Sequence, residues 1–525
     1  MDPTIPLEGH GLFSAAYGHA VRGHEGPAII DVGAGRTLTY ADLLTGAAVV
    51  RHIITDVLAA VDGDIQEQRI AFLVPPGADY VHIQWGIWAA GGVAVPLCTT
   101  HPFHELEYAV ADSKPSLIFI HHDFAHHKSS FTSTFPSIKI VDVPLPHTPS
   151  ALPQTPLPDP SPSRRALIIY TSGTTSKPKG CVSTHANILF QAASLVKAWH
   201  YTPSDHLIHI LPLHHVHGII NGLTATLLAG GTVELHPKFD ASAVWKRWMD
   251  GDTTLFMAVP TVYARLNTYF TTHIAGTDAE QAAIHGARKL RLVVSGSAAL
   301  PTSVKTRFRE ITGQVLLERY GMTEVGMALS CRYDDTDGNG RPDGSVGWPL
   351  DGVDVRLASD TGETIHDDDT EGEIQISGAN VFKEYWGRPD ATASEFTSDS
   401  FFKTGDIASR RPDGAFFIRG RSSVDIIKSG GYKISALEVE REILSNIPNI
   451  KEVAVVGIPD EEWGERVAAV IVTDGKEMLV KEYRDLLRGS LAGYKIPTVW
   501  KVVDGIDRNA MGKVNKKHLV KDLWP

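Results

Sequence analysis

The run Tyr170-Thr-Ser-Gly-Thr-Thr-Ser-Lys-Pro-Lys-Gly180 follows an apolar stretch and is packed with small hydroxyl residues, glycines and two lysines. Gly173 and Gly180 let the backbone turn sharply, freeing amides and hydroxyls to point at phosphate oxygens. Thr171, Ser172, Thr174 and Thr175 supply the hydroxyls, and Lys177 and Lys179 supply positive charge. No Gly-Lys-Ser/Thr closes the run at the spacing of a Walker A loop. The chemistry this composition suits is phosphate binding, against the plainer reading of a flexible Ser/Thr/Gly loop.

Further segments follow in order. They are Leu211-Pro-Leu-His-His-Val-His-Gly218, Ser295-Gly-Ser-Ala-Ala299, Tyr320-Gly-Met-Thr-Glu324, Thr404-Gly-Asp406, Gly420-Arg421 and Asn509-Ala-Met-Gly-Lys513. With the phosphate loop, this ordered set resembles the adenylate-forming family, which includes acyl-CoA synthetases, luciferases and peptide-synthetase adenylation domains. The resemblance implies an α/β fold with a large, multi-part N-terminal region, residues 1–420, and a small mobile C-terminal lid, residues 421–525. It implies ATP and coenzyme A as co-substrates with Mg²⁺ as cofactor, and an acid joined to coenzyme A through an acyl-adenylate.

The resemblance also assigns roles. Ser297 and Ala298 lie in the adenine-contacting loop, Tyr320 stacks on adenine beside Gly321 and Thr323, and Glu324 coordinates magnesium. Asp406 and Arg421 hold the ribose and phosphate, and Lys513 is the catalytic lysine, with Glu324 and Thr174 acting beside it. These residue types suit those tasks. Adenylation brings a carboxylate against an α-phosphate, and an ammonium with a metal ion offsets the repulsion of two anions. Asp406 can accept two ribose hydroxyl hydrogen bonds, and Arg421 can bridge ribose and phosphate.

For the second half-reaction, Ser429-Gly430-Gly431 forms a glycine turn before Tyr432-Lys433 and a helix start. In the family such a turn borders the pantetheine channel after the lid rotates. The pivot falls two residues after the motif arginine, at Ser423, where many members carry Asp or Lys. Serine tolerates the change of dihedral angles. Another departure is Asp507-Arg508-Asn509, where relatives often read Pro-Arg-Asn.

The acid is read from His215, Arg265 and Arg319, with His214 at the gate. His215 falls where the family places a histidine beside the acyl group, and His214 where an aromatic gate is common. Arg319 stands where many relatives have glycine in the pocket floor. An arginine there is costly without a countercharge, which the second carboxylate of a dicarboxylic acid supplies. Arg265, in Val259-Pro-Thr-Val-Tyr-Ala-Arg265, offers a second guanidinium. This pattern resembles malonyl-CoA synthetases, the eukaryotic type above all. In the competing arrangement, Arg319 pairs with Glu318 or Glu324 and Arg265 lies outside the pocket. Methylmalonate, another short dicarboxylic acid, a monocarboxylic acid, or transfer to a separate carrier protein are the other readings. A metal site at Leu-His-His-Val-His-Gly is disfavoured, because no acidic or Cys ligand is near in sequence.

These segments need a scaffold. Ile70–Val74, Val93–Pro96, Ala166–Tyr170, Leu207–Leu211, Leu290–Val294 and Val315–Glu318 read as buried strands. Tyr80–Ala90, Ala186–Trp199 and Val304–Ile311 read as helices between them, an α/β rhythm with largely parallel sheets. The Pro- and Ser-rich stretch Val143–Arg164 reads as an exposed linker between two sub-units. From about Val424 a separate small unit begins, with helices at Ala436–Ser445 and Val480–Leu491 and strands at Val453–Gly457 and Val467–Thr473.

At 525 residues the chain exceeds one ordinary core. A net charge of −12 without a basic block argues against nucleic acid or an anionic membrane as partner. Three scattered cysteines give neither a disulfide framework nor metal-site spacing. No apolar run is long enough to span a bilayer. With no recognisable targeting signal, the cytosol is the default location. The oligomeric state is unknown from the sequence, and a monomer is plausible.

Overall fold

The computed structural model describes residues 11–22, 26–143, 156–171, 177–334, 340–475, 478–508 and 513–524. Four sheets organise these described residues. The first has nine strands, and its interior strands Leu317–Met322, Leu292–Ser295, Leu255–Ala258, His206–His209, Thr232–Leu235 and Ile29–Asp31 run parallel. The second has seven, with Arg165–Thr171, Val93–Pro96, Arg69–Leu73, Leu117–Ile120 and Lys139–Asp142 parallel. Most of these strands are buried on both faces and read as apolar runs, as parallel strands do, while Lys139–Asp142 at the sheet edge is exposed at both ends.

Helices fill the space between the two large sheets. Helix Tyr40–Val57 starts on a capping box, Thr39 with Asp42, that satisfies its first free amides. Its inner stripe Leu43, Leu44, Ala47, Val50 and Ile54 packs against helix Ala78–Ala89, which is buried almost all round. Trp85 and Trp199 are each almost wholly inaccessible in this core. Burial of one such side chain is worth about 1.5–3 kcal/mol or more.

Two expectations are corrected. The strands Val353–Ala358, Glu371–Gly378, Phe402–Arg410 and Phe416–Arg421 form an antiparallel sheet, so the parallel pattern stops before residue 353. The Pro/Ser-rich stretch also does not join two sub-units. It connects Lys139–Asp142 and Arg165–Thr171, two strands of the same seven-stranded sheet. Residues 144–155 of it lie outside the described residues. Beyond them Leu157 is buried, and Asp159 accepts hydrogen bonds from Phe13 N (2.8 Å) and Ser14 N (3.1 Å), capping helix Leu12–Val21.

After Phe416–Arg421 the chain passes into the fourth sheet, which contains Ile426–Ser429, Tyr432–Ser435, Ile450–Asp460, Gly464–Thr473 and Val499–Val502. Helices Ala436–Asn446 and Val480–Leu487 cover its core of Val439, Ile443, Val455, Ile471 and Tyr483. This small C-terminal unit beside a large α/β region is the architecture anticipated from the sequence.

Candidate active site

The chemistry-bearing segments gather at the carboxyl ends of parallel strands, where open α/β sheets bind ligands. Ser295–Ser297 leaves strand Leu292–Ser295, and His214–His217 follows strand His206–His209. Thr171 ends the strand Arg165–Thr171, and its hydroxyl donates to Lys179 O at 3.3 Å. Ser172, Gly173, Thr174 and Thr175 lie outside the described residues. The flanking lysines are placed: Lys177 is exposed, 6.0 Å from the Tyr108 ring, and Lys179 lies 4.5 Å over Tyr385 and 3.4 Å from Glu395.

Tyr320, Asp406 and Arg421 form one hydrogen-bonded group. Tyr320 donates its hydroxyl to Asp406 Oδ2 at 2.6 Å, and Arg421 Nε donates to Asp406 Oδ1 at 2.9 Å. Asp406 and Arg421 face each other in register on adjacent antiparallel strands, which fixes the pair. Burial, then the Asp406 charge, pushes the Tyr320 phenol well above its ordinary range. Arg421 loses some basicity to burial, but Asp406 more than restores it. Gly321 and Thr323 are half-buried on the same segment, with Thr323 O accepting from Cys181 Sγ at 3.5 Å. Ser297 is half-buried with φ +69°, and Ala298 is exposed.

Glu324 is buried and accepts from the Tyr385 hydroxyl at 2.8 Å. Burial raises its pKa, and among the described residues no cation forms an ion pair with it. A buried carboxylate in that state suits a metal ion, which would restore the ionised form.

Arg319 is the unusual group. It is 3% exposed, and its only hydrogen bond among the described residues is from Nη2 to Ser297 Oγ at 3.2 Å. Its Nε has no partner, and no carboxylate pairs with it among those residues. Burial alone pushes its pKa down to about 9. Glu318 points elsewhere, 3.1 Å from Lys305, so the internal pairing with Glu318 or Glu324 is not formed. A buried, unpaired guanidinium costs several kcal/mol unless a ligand supplies the countercharge.

Histidines complete this end of the site. Nε2 of His214, His215 and His217 are buried without a hydrogen-bond partner. Burial holds His215 and His217 well below the ordinary histidine range. The positive charges of His214 and Lys513 add to the effect on His215, and that of Arg319 to the effect on His217. His217 begins a π-helical stretch, His217–Thr224, a distortion that recurs at functional sites. Sequence reasoning noted the third histidine without assigning it to the site. Its unpartnered ring and its closeness to Arg319 become visible only in three dimensions.

Among the described residues no hydrogen bond or ion pair ties Arg265 to this group. It is exposed, with its guanidinium 4.8 Å over the Phe239 ring. Helix Pro260–Tyr269 turns Tyr263, Leu266 and Asn267 inward, and Arg265 falls on another face.

Lys513 reaches the site from the C-terminal unit. It feels the charges of Asp406, Arg421, Arg319 and Glu324, and burial first, then the two arginines, holds its pKa below the usual lysine range. Lys513 is solvent-accessible, so the lowering reflects the protein groups crowded around it rather than a sealed core. Three residues on, Lys516 is buried between Asp425 (2.6 Å) and Glu440 (2.7 Å). Asp425 also accepts from Arg421 N at 3.1 Å, across the exposed Ser423.

The turn Gly430–Gly431 joins strands Ile426–Ser429 and Tyr432–Ser435 with φ of +55° and +82°. Two successive positive φ values are those of a type I′ hairpin, which glycine adopts without strain. Ser429 is buried, while Lys433 of this hairpin lies 2.6 Å from Asp360.

Comparison with known proteins bears on the whole arrangement. Residues 18–386 match the family model of the AMP-binding enzyme, and residues 438–513 that of the AMP-binding enzyme C-terminal domain. The chain is 41% identical to the mitochondrial malonate–CoA ligase ACSF3 of Mus musculus, over 93% of this chain and 87% of that protein. It is 38% identical to a malonate–CoA ligase of Arabidopsis thaliana, over 88% of this chain and 79% of that one. ATP-bound MatB from Rhodopseudomonas palustris superposes with a TM-score of 0.86 at 31% identity, covering 98% and 99% of the two chains. A malonyl-CoA ligase ternary product complex with methylmalonyl-CoA and AMP gives 0.65 at 35% identity, covering 92% and 96%. The second is nearer in sequence yet farther in shape, so sequence divergence does not explain the difference.

Proposed function

Because the chain belongs to the AMP-binding enzyme family, we propose that it joins malonate to coenzyme A through malonyl-AMP, releasing AMP and pyrophosphate. It is an AMP-forming acid–CoA ligase, with ATP and coenzyme A as substrates. The observation that carries the choice of acid is Arg319, a buried guanidinium with no carboxylate partner among the described residues. One carboxylate of malonate pairs with Arg319 and accepts from the imidazoles beside it, while the other is presented to the α-phosphate. A monocarboxylic acid would leave the guanidinium buried and unpaired.

Tyr320 offers its ring to adenine and Asp406 its carboxylate to the ribose hydroxyls, with Arg421 holding Asp406 in place. Lys177, Lys179 and the Thr171 hydroxyl are the described groups of this loop offered to the phosphates. Glu324 would hold Mg²⁺, which when bound neutralises charge on the transferring phosphoryl group. Lys513 stands between the two anions and lowers their repulsion as the acid oxygen attacks the α-phosphate and pyrophosphate leaves. His215, neutral at physiological pH, faces the acid as a hydrogen-bonding group rather than as a charge. Arg265, exposed over Phe239, is given no contact with the acid in this reading. Rotation at Ser423 then brings Ser429, Gly430 and Gly431 to the site, where the thiol of coenzyme A attacks the acyl carbonyl and displaces AMP.

The test is a competition. The enzyme is incubated with ATP, Mg²⁺, coenzyme A and equal concentrations of malonate, methylmalonate, oxalate, butyrate and a coumarate, and thioesters are measured by mass spectrometry. Malonyl-CoA as the main product supports the reading. Butyryl- or coumaroyl-CoA as the main product overturns the dicarboxylate pocket and keeps the enzyme class. For compartment, the animal relatives carry a mitochondrial designation, unlike the cytosolic default read from the sequence. Cell fractionation decides between them. No helix among the described residues is long and apolar enough to cross a membrane.

A further inference from the structure

The strands Arg69–Leu73 and Leu117–Ile120 lie side by side and parallel in the seven-stranded sheet. From the first, the chain runs through helix Ala78–Ala89 to Val93–Pro96 on one side. From the second, it runs to Lys139–Asp142 on the other side. Connections that part in opposite directions open a crevice at the carboxyl ends of the two strands, where such sheets hold ligands. His121, His122 and Asp123 stand there, directly after Leu117–Ile120, and Asp79 faces His121 from the first turn of helix Ala78–Ala89. The ligation proposed above uses none of the four.

Among the described residues this is the one place where three histidine, cysteine or acidic side chains bring ligand atoms within 4.8 Å of one another. Asp123 bridges the two imidazoles: its Oδ2 is 3.3 Å from His121 Nδ1 and its Oδ1 is 3.2 Å from His122 Nε2. The two rings are 3.9 Å apart. Donor atoms on a tetrahedral zinc ion stand about 3.3–3.6 Å from one another, so the spacing is already that of a coordination shell. Nδ1 of His121 accepts the backbone N–H of Asp123 at 3.3 Å, so that nitrogen carries a lone pair and no proton. It meets the Asp123 carboxylate as one acceptor facing another, an arrangement that a bound cation satisfies. The ring proton then sits on Nε2, 3.9 Å from Asp79 Oδ2. A carboxylate behind the second ring nitrogen is the usual support of a metal-ligating histidine. Asp79 is held at 3.0 Å by Arg36, which also pairs with Asp31 at 3.0 Å, so two carboxylates share one guanidinium.

We propose that His121, His122 and Asp123 bind one divalent transition-metal ion of the zinc type, with Asp79 orienting His121. Two imidazoles and a carboxylate suit zinc, whereas magnesium prefers oxygen ligands, so this site differs in kind from the Glu324 carboxylate. His121 is buried while His122 and Asp123 are exposed, which puts the ion at the rim of the crevice with water completing its shell. There it clamps the loop that follows Leu117–Ile120, whose His121 N already donates to Leu73 O at 3.0 Å. Binding therefore shows in stability rather than in turnover. The choice of acid has no bearing on it.

Full-length enzyme without an added histidine tag is stripped with a chelator and titrated with ZnCl₂ in the presence of Mg²⁺, by calorimetry and by thermal melting. We expect a single zinc site and a melting temperature that rises with zinc. His122→Ala and Asp123→Asn should each weaken zinc binding at least ~10-fold and flatten that rise, with ligase turnover within ~2-fold of the parent. Both side chains are exposed, so neither change threatens the fold. Asp79→Asn leaves the three ligands in place and should still weaken zinc ~10-fold. His126 and His127 form a second pair, with rings 4.1 Å apart, and His126→Ala should leave zinc affinity within ~2-fold. Co²⁺ in place of zinc should give visible absorption bands that His122→Ala abolishes. Zinc bound equally by the parent and His122→Ala, zinc lost with His126→Ala alone, or no zinc bound by the parent overturns the proposal. Unchanged affinity in Asp79→Asn overturns the orienting role of Asp79.

Discussion

Gly296 lies flat against the guanidinium of Arg319: a Cβ at position 296 would come 2.6 Å from Arg319 Cζ. The glycine therefore gives the buried arginine its room. Gly296→Ala should displace the guanidinium and raise the KM for malonate at least ~10-fold, with a much smaller change for ATP. Gly489→Ala, where a Cβ meets nothing within 4 Å, is the neutral control. Steady-state kinetics with each substrate varied decide it; equal losses for both substrates would mean a general disturbance of the site.

Arg319→Gly removes the countercharge itself. The ratio of kcat/KM for malonate over butyrate should fall ~100-fold, the worth of a charge-assisted bidentate contact of about 2–3 kcal/mol. Arg265→Ala should change that ratio less than ~3-fold, because Arg265 is exposed over Phe239 and any interaction is screened by solvent. An unmoved ratio in Arg319→Gly would remove it as the selector.

Lys513→Ala should lower malonate-dependent pyrophosphate release at least ~100-fold, as loss of a transition-state charge partner does. Thioester formation from supplied malonyl-AMP and coenzyme A should stay within ~3-fold of the parent enzyme. A folded variant that loses both half-reactions would show that Lys513 serves throughout.

The pH dependence follows from the depressed pKa of Lys513. The ammonium is the form that acts, so adenylation holds at low pH and is lost as pH rises through this pKa. The alkaline limb of kcat/KM for ATP, which reports the free enzyme, should therefore fall at lower pH than an ordinary lysine would give. A limb at the ordinary lysine position would place Lys513 outside the charge cluster in solution.

Lys516 is a positioning residue. Buried between Asp425 and Glu440, it anchors the segment that carries Lys513 to the strand after the pivot. Lys516→Gln should slow adenylation by ~10-fold in kcat with little change in the KM for malonate, and Lys516→Arg should recover part of the loss. Thermal melting separates this from plain unfolding, since removing one partner of a buried ion pair also costs stability.

Much of this was legible in the sequence, and unevenly so. Val93–Pro96 was read to the residue, because a parallel strand buried on both faces is a continuous apolar run. The antiparallel strands from Val353 to Arg421 were not read, because half-exposed strands mix charged and apolar residues. The order of Tyr320, Asp406 and Arg421 was visible, whereas their shared hydrogen bonds depend on pairing two strands. Arg265 shows how helix phase sets exposure. At about 100° per residue, Tyr263 and Leu266 define the inward stripe of its helix, and Arg265 lies well off it. The Pro-rich stretch misled because composition reports exposure, not which strands a segment connects.

The hairpin at Gly430–Gly431 carries a last consequence. While Lys513 occupies the cleft, this hairpin is tethered by Lys433 to Asp360 on another surface. In the proposed mechanism, one small unit thus carries the tools of two half-reactions on different edges and presents one at a time. Activation of the acid is then a precondition for admitting the thiol, rather than a step racing against it. On that proposal, coenzyme A arriving early meets no electrophile, and the proposed rotation makes fidelity to the acceptor a matter of timing as much as of fit.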